Sequence, residues 1–94
     1  IGAFQKAVEL KPDYAAAQSN LGNALLLGQR TSEAITAFRA ALRVGPDART
    51  STNLGYAYLL QGRVAGARAE FESALRLDPA YRPAREGLAR CGPR

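Results

Sequence analysis

The stretch NLGNALLLGQ begins at Asn20, and a near copy, NLGYAYLLQG, begins at Asn53. A repeat of this length constrains the fold more than any other feature of the chain. A recurring unit of that size is one supersecondary element that buries its apolar face only by stacking on its neighbours. The match runs beyond the two strings. Leu21-Gly22 pairs with Leu54-Gly55, Ala24 with Ala57, Ala34 with Ala67, Phe38 with Phe71, Ala41 with Ala74 and Pro46 with Pro79, each 33 residues apart. Phe4, Ala7 and Pro12 precede Phe38, Ala41 and Pro46 by 34, and Leu88 follows Leu54 by 34. The connection GPDAR is one residue shorter than KPDYAA and DPAYRP.

Within each unit the apolar spacing is helical. Between 34 and 44 the apolar residues include Ala34, Ile35, Ala37, Phe38, Ala41 and Leu42, a stripe broad enough for a helix packed on two sides. Residues 67–77 repeat it with Ala67, Phe71, Ala74, Leu75 and Leu77. No β-branched alternation marks a strand. The prolines of KPD, GPD and DPA stop one helix, and Asp13 and Asp47 stand where they cap the next. Gly28 and Gly62 are expected to end their helices. The spacing predicts six helices, over 1–11, 15–28, 32–44, 49–61, 65–77 and 81–91, joined by short turns that make neighbours antiparallel. Gly66 is expected near the start of its helix, where a glycine costs least. Gly22 and Gly55 are small where a neighbouring helix comes close. Ala34, Ala41, Ala67 and Ala74 let two helices touch, and Phe38 and Phe71 fill the space between.

Composition narrows the chemistry. A chain of 94 residues forms one domain at most, and 47% hydrophobic residues are enough for a core. No apolar run reaches the roughly 18 residues of a membrane-spanning helix. The chain starts at Ile1 without a methionine, which reads as part of a longer protein, and a cytoplasmic location is expected. There is no histidine and a single cysteine, Cys91. This removes the commonest general base and metal ligand, any internal disulfide and any cysteine cluster. Glu70 and Glu72 are i,i+2 on a helix, do not face each other, and read as a solvated face. Cys91 reads as a small packing residue. The chain is therefore expected to be no enzyme, with no catalytic residue, no cofactor and no metal. The net charge is +5, and eleven of the 13 basic residues are arginine. Residues 48–94 hold eight basic and four acidic groups, against five and four in 1–47. Arg82, Arg85 and Arg90 read as a patch for an acidic peptide. Nucleic acid is not expected, because only Tyr81 offers a stacking platform.

Leu-Gly, then Ala, then Ala, Phe, Ala and Pro at these offsets resembles the tetratricopeptide repeat, a helix–turn–helix of about 34 residues. The resemblance covers the whole chain. It implies an all-α, right-handed solenoid of about six antiparallel helices forming a single domain. Residues 1–14 would be helix B of a partial repeat, 15–47 and 48–81 whole repeats, and 82–94 helix A of a partial repeat. The chain departs from the family where Gln18, Ser51 and Arg85 replace an early aromatic. Its mid-helix Tyr is Leu25 in one repeat and Tyr58 in the next.

The resemblance implies a function in protein–protein interaction, with an extended peptide or partner helix held in a concave groove lined by helix A. Carried over to this sequence, the groove residues are Ser19, Asn20, Asn23, Leu27 and Arg49, followed by Thr52, Asn53, Tyr56 and Leu60. Asn20 and Asn53 recur just before Leu-Gly and suit a ladder of bonds to a peptide backbone. A family subtype grips a C-terminal carboxylate. Asn23 and Asn53 fit that clamp, but Ser19, Pro83 and Gly87 replace its other members, so it looks incomplete. Two further expectations stand beside this one. The chain would be a docking or regulatory arm of a larger enzyme such as a glycosyltransferase. Or it would self-assemble head to tail through ends that expose Ile1 and Phe4 on one side and Leu88 and Cys91 on the other.

Overall fold

The computed structural model describes residues 14–93, which form five α-helices: α1 Tyr14–Leu27, α2 Thr31–Val44, α3 Ala48–Leu60, α4 Val64–Leu77 and α5 Arg82–Arg90. Each boundary differs from the sequence expectation by at most one residue. The helix expected over 1–11 lies outside the described residues.

The turns show why the helices stop where they do. Asp47, in extended conformation, caps α3: its carboxylate accepts the Thr50 N–H at 3.1 Å and the Thr50 hydroxyl at 2.9 Å. The turn after α3 closes on Gly62, whose φ of 74 lies in the left-handed region. There the Gly62 N–H reaches the Leu59 carbonyl at 2.9 Å, and the Arg63 N–H the Tyr58 carbonyl at 2.9 Å, the paired bonds of a Schellman turn. The turn after α1 makes the same two bonds, from Gln29 to Leu26 at 3.0 Å and from Arg30 to Leu25 at 2.8 Å. The left-handed residue there is Gln29, at φ 63, rather than the glycine before it. The bonds from residues 29 and 30 fix the turn in the same frame as at 62 and 63. Gly28 falls one place too early to supply the conformation.

The helices form two layers. α1, α3 and α5 lie side by side, with α3 touching both others; α2 packs on α1 and α3, and α4 on α3 and α5. α2 and α4 do not meet. The described residues build an all-α solenoid.

Two phenylalanines anchor the core. Phe38 and Phe71 are fully buried. A Cβ added at Gly22 would lie 2.5 Å from the Phe38 ring, and one at Gly55 2.6 Å from the Phe71 ring. Both glycines thus mark the close approach expected of them. Phe71 is held from the other side as well, since a Cβ at Gly87 would come within 2.4 Å of it. The Tyr56 ring meets Phe71 edge-on, 5.1 Å between centroids at 71°. Ala34, Ala57, Ala67, Ala74 and Ala84 are buried around these rings, keeping the helices close. Gly66, third residue of α4, lies against the Tyr58 ring, 3.3 Å from where its Cβ would be.

Two expectations need correcting. Leu88 and Cys91 are half-buried and packed on the core rather than exposed. Arg68 holds that end by donating to the carbonyls of Cys91 at 3.2 Å and Gly92 at 3.0 Å, which the end of α5 leaves without helical partners. Glu70 is half-buried rather than on a solvated face. Burial raises its pKa above the ordinary 4.5, and the nearby Arg39 and Arg76 offset this only in part.

Candidate functional site

The layer made by α1, α3 and α5 carries the candidate site. On α1, Asn20, Asn23 and Leu27 fall at i, i+3 and i+7, one face of the helix. On α3, Asn53, Tyr56 and Leu60 fall at the same spacing 33 residues later. Leu27 is 88% exposed and Leu60 68%, although both are large and apolar. Water contact at two equivalent leucines leaves an apolar edge along this face.

The asparagines meet across the two helices. The Asn53 side-chain amide donates to the Asn23 carbonyl oxygen at 3.1 Å. Both residues are half-buried. The bond uses one donor of Asn53 and the carbonyl of Asn23. The NH2 of Asn23, the carbonyl of Asn53 and its second N–H remain for a ligand. This is not the ladder expected from the sequence. Asn53 pairs with Asn23 rather than Asn20, which is exposed and lines a smaller cleft with Ser19 and Arg49.

Tyr56 extends the face towards α5. Its hydroxyl donates to the Pro83 carbonyl at 3.3 Å, and the Arg90 guanidinium lies 5.7 Å from its ring centroid. Arg90 therefore joins this face through Tyr56. Arg85 instead lines a cleft with Arg68 and Leu88 at the end of the stack, so the arginines of α5 do not form one patch.

Two of the expected residues serve the fold. Thr52 is only 2% exposed, and its hydroxyl bonds back to the Ala48 carbonyl at 2.8 Å, out of a ligand's reach. The Ser19 hydroxyl lies 3.0 Å from that of Thr50. Thr50 gives its proton to Asp47, so Ser19 is the donor, and the chain Ser19–Thr50–Asp47 ties α1 to the start of α3. Arg49 is exposed at the same end. Of the partial carboxylate clamp, Asn23 and Asn53 are engaged with each other, Pro83 faces Tyr56, and Gly87 is buried under Phe71.

Arg90 and Pro83 were not legible as neighbours of Tyr56, because nothing in the local spacing relates α5 to α3. Among the described residues no group of His, Cys, Asp or Glu suits a metal ion, and no helix is long and apolar enough to cross a membrane.

The comparisons with known proteins agree with the architecture. The model for the tetratricopeptide repeat matches residues 1–49 and again 28–82. No curated protein matches the chain.

Proposed function

Because the chain belongs to the tetratricopeptide repeat family, whose repeats generally mediate protein–protein interaction, we propose that its α1/α3/α5 face binds an extended peptide. The observation that carries this reading is the Asn23–Asn53 pair. It places unused amide donors and an acceptor from two successive helices at one point, and such groups read a peptide backbone whatever its side chains. Leu27 and Leu60 flank the pair and offer apolar contact to alternate peptide side chains. Arg90 and Arg49, with a chain net charge of +5, favour an acidic ligand. In this reading residues 15–47 and 48–81 are whole repeats, followed by helix A of a further one in 82–94, and the partial repeat expected over 1–14 falls almost wholly outside the described residues.

The family is typically a non-catalytic interaction module, and a binding assay is the appropriate test. A randomised peptide library displayed against the protein supplies a ligand. Asn23→Ala with Asn53→Ala should then weaken that ligand about tenfold, the loss of one or two hydrogen bonds at ~1 kcal/mol each. Unchanged affinity in a variant of unchanged helix content by circular dichroism would sink the proposal.

A further inference from the structure

The opposite face of the molecule carries a separate feature. The backbones of α2 and α4 stay apart, and the space between the two helices over α3 is a cleft of about 660 Å³. Its walls carry Arg39 and Arg43 from α2 and Arg76 from α4, with one carboxylate, Glu70, among them. Leu42, Pro46, Leu54 and Leu77 give it an apolar lining, interrupted by Thr36, Ser51 and Ser73. Leu54 is buried, whereas Leu77 is 50% exposed for want of a cover. Arg43 makes no hydrogen bond or ion pair to any described residue, and Arg76 donates to the neutral Ser73 hydroxyl at 2.7 Å and lies near Glu70.

We infer that this cleft is a second binding surface, taking an acidic protein segment with one apolar anchor side chain. Charge sets the sign of the ligand. Three guanidiniums against one carboxylate leave the walls net positive, and arginine pairs carboxylates in a planar, two-bond geometry. The floor sets the anchor, since leucines and a proline reward an aliphatic side chain and offer no aromatic face for a nucleic-acid base. Shape sets the form. From Thr36 to Arg43 the trough runs along α2 for ~10 Å at ~1.5 Å per residue, which matches about three residues of extended chain at ~3.3 Å each. Glu70 limits affinity by facing the incoming carboxylates. Arg39 from α2 and Arg76 from its own helix are its charged neighbours in the cleft.

The surface differs from the α1/α3/α5 face in every residue named, so the two readings fail separately. The probe is a fluorescein-labelled glutamate-rich peptide with one central leucine, followed by anisotropy at low and high salt. Arg39→Glu, Arg43→Glu and Arg76→Glu together should weaken it at least about tenfold, with Glu70→Gln tightening it. Replacing the central leucine by glycine should also weaken binding, and the loss from the three arginine reversals should persist when Asn23→Ala and Asn53→Ala are also present. On the unaltered protein, amide shift changes should fall on α2 and α4, a readout independent of how well the reversed variant folds. The inference is overturned if the peptide does not bind, or if no shifts fall on α2 and α4. Equal loss from reversing Arg82, Arg85 and Arg90 would also overturn it, by showing attraction to net charge alone. Tighter, leucine-independent binding of a single-stranded oligonucleotide with the same arginine dependence would replace the acidic segment by nucleic acid.

Discussion

The hairpin α1–α2 and the hairpin α3–α4 are built on one pattern, and they solve its local problems differently. Both turns make the same pair of backbone bonds, yet one uses Gly62 in the left-handed conformation and the other Gln29. Both have an arginine just before the second helix. Arg63 stacks on Tyr58, 4.6 Å from its ring centroid, whereas Arg30 holds Glu33 through two bonds of 2.6 and 2.7 Å. The partner residues change together. Where Tyr58 replaces Leu25, Gly66 replaces Glu33, and the Tyr58 ring occupies the room above Gly66. The backbone frame is thus common to both hairpins, and side chains are exchanged in matched sets to fill it. The phenylalanine contacts are the part that does not vary, because Gly22 with Phe38 and Gly55 with Phe71 leave no room for anything larger.

The largest test of that comparison is overpacking. Gly22→Val and Gly55→Val should each destabilise by up to about 3 kcal/mol, read by urea denaturation, since each drives an isopropyl group into a buried ring. Adding Gly87→Val to Gly55→Val should cost less than the sum of the two, because both act on the Phe71 ring. Additive losses would mean that the ring does not couple them.

A smaller effect is expected from exchanging the turns. Gln29→Gly should stabilise, and Gly62→Gln destabilise, each by up to ~1 kcal/mol, as the left-handed conformation disfavours a residue with a Cβ. If both changes are neutral in thermal melts, the two turns are not equivalent in the way their bonds indicate.

The smallest effect concerns Ala37 and Glu70, which stand 33 residues apart in α2 and α4. Ala37 is buried without charge, while Glu70 carries a raised pKa. A folded-state pKa above the unfolded value means that the unfolded chain releases this proton more readily. Stability from this group is therefore full below the unfolded value and declines as pH rises through the raised one. Glu70→Gln should remove that decline, seen as a gain over the unaltered protein near neutral pH and little difference in acid. An equal gain at both ends of the pH range would show that the carboxylate's charge is not the cause.

Much of this was legible in the residues. The 33-residue spacing, the prolines and Asp47 located every described helix to within one residue. The small-residue positions opposite Phe38 and Phe71 marked the close contacts. The groove was harder. Asn23, Asn53 and Tyr56 do lie along one face, yet Thr52 at the adjoining position is buried and Ser19 is tied to Thr50. Periodicity tells which residues share a helix face, and here that face is divided between ligand side and neighbouring helix by the way α1, α3 and α5 lie together. The arginine cleft also has a signal in the sequence. ALRV at 41–44 and ALRL at 74–77 repeat 33 apart, placing Arg43 and Arg76 at equivalent positions on α2 and α4.

What the sequence determined by itself is what short-range chemistry decides. Helices form where apolar residues recur at helical spacing, stop where proline forbids a backbone bond, and approach closely where glycine and alanine leave room. Tertiary structure alone decided which asparagine meets Asn23, that Arg90 joins Tyr56, and that α2 and α4 stand apart. Each of these depends on how one helix is set against another some 30 residues away in the chain. That setting is fixed by the fit of whole side-chain surfaces around Phe38 and Phe71, not by any local run of residues.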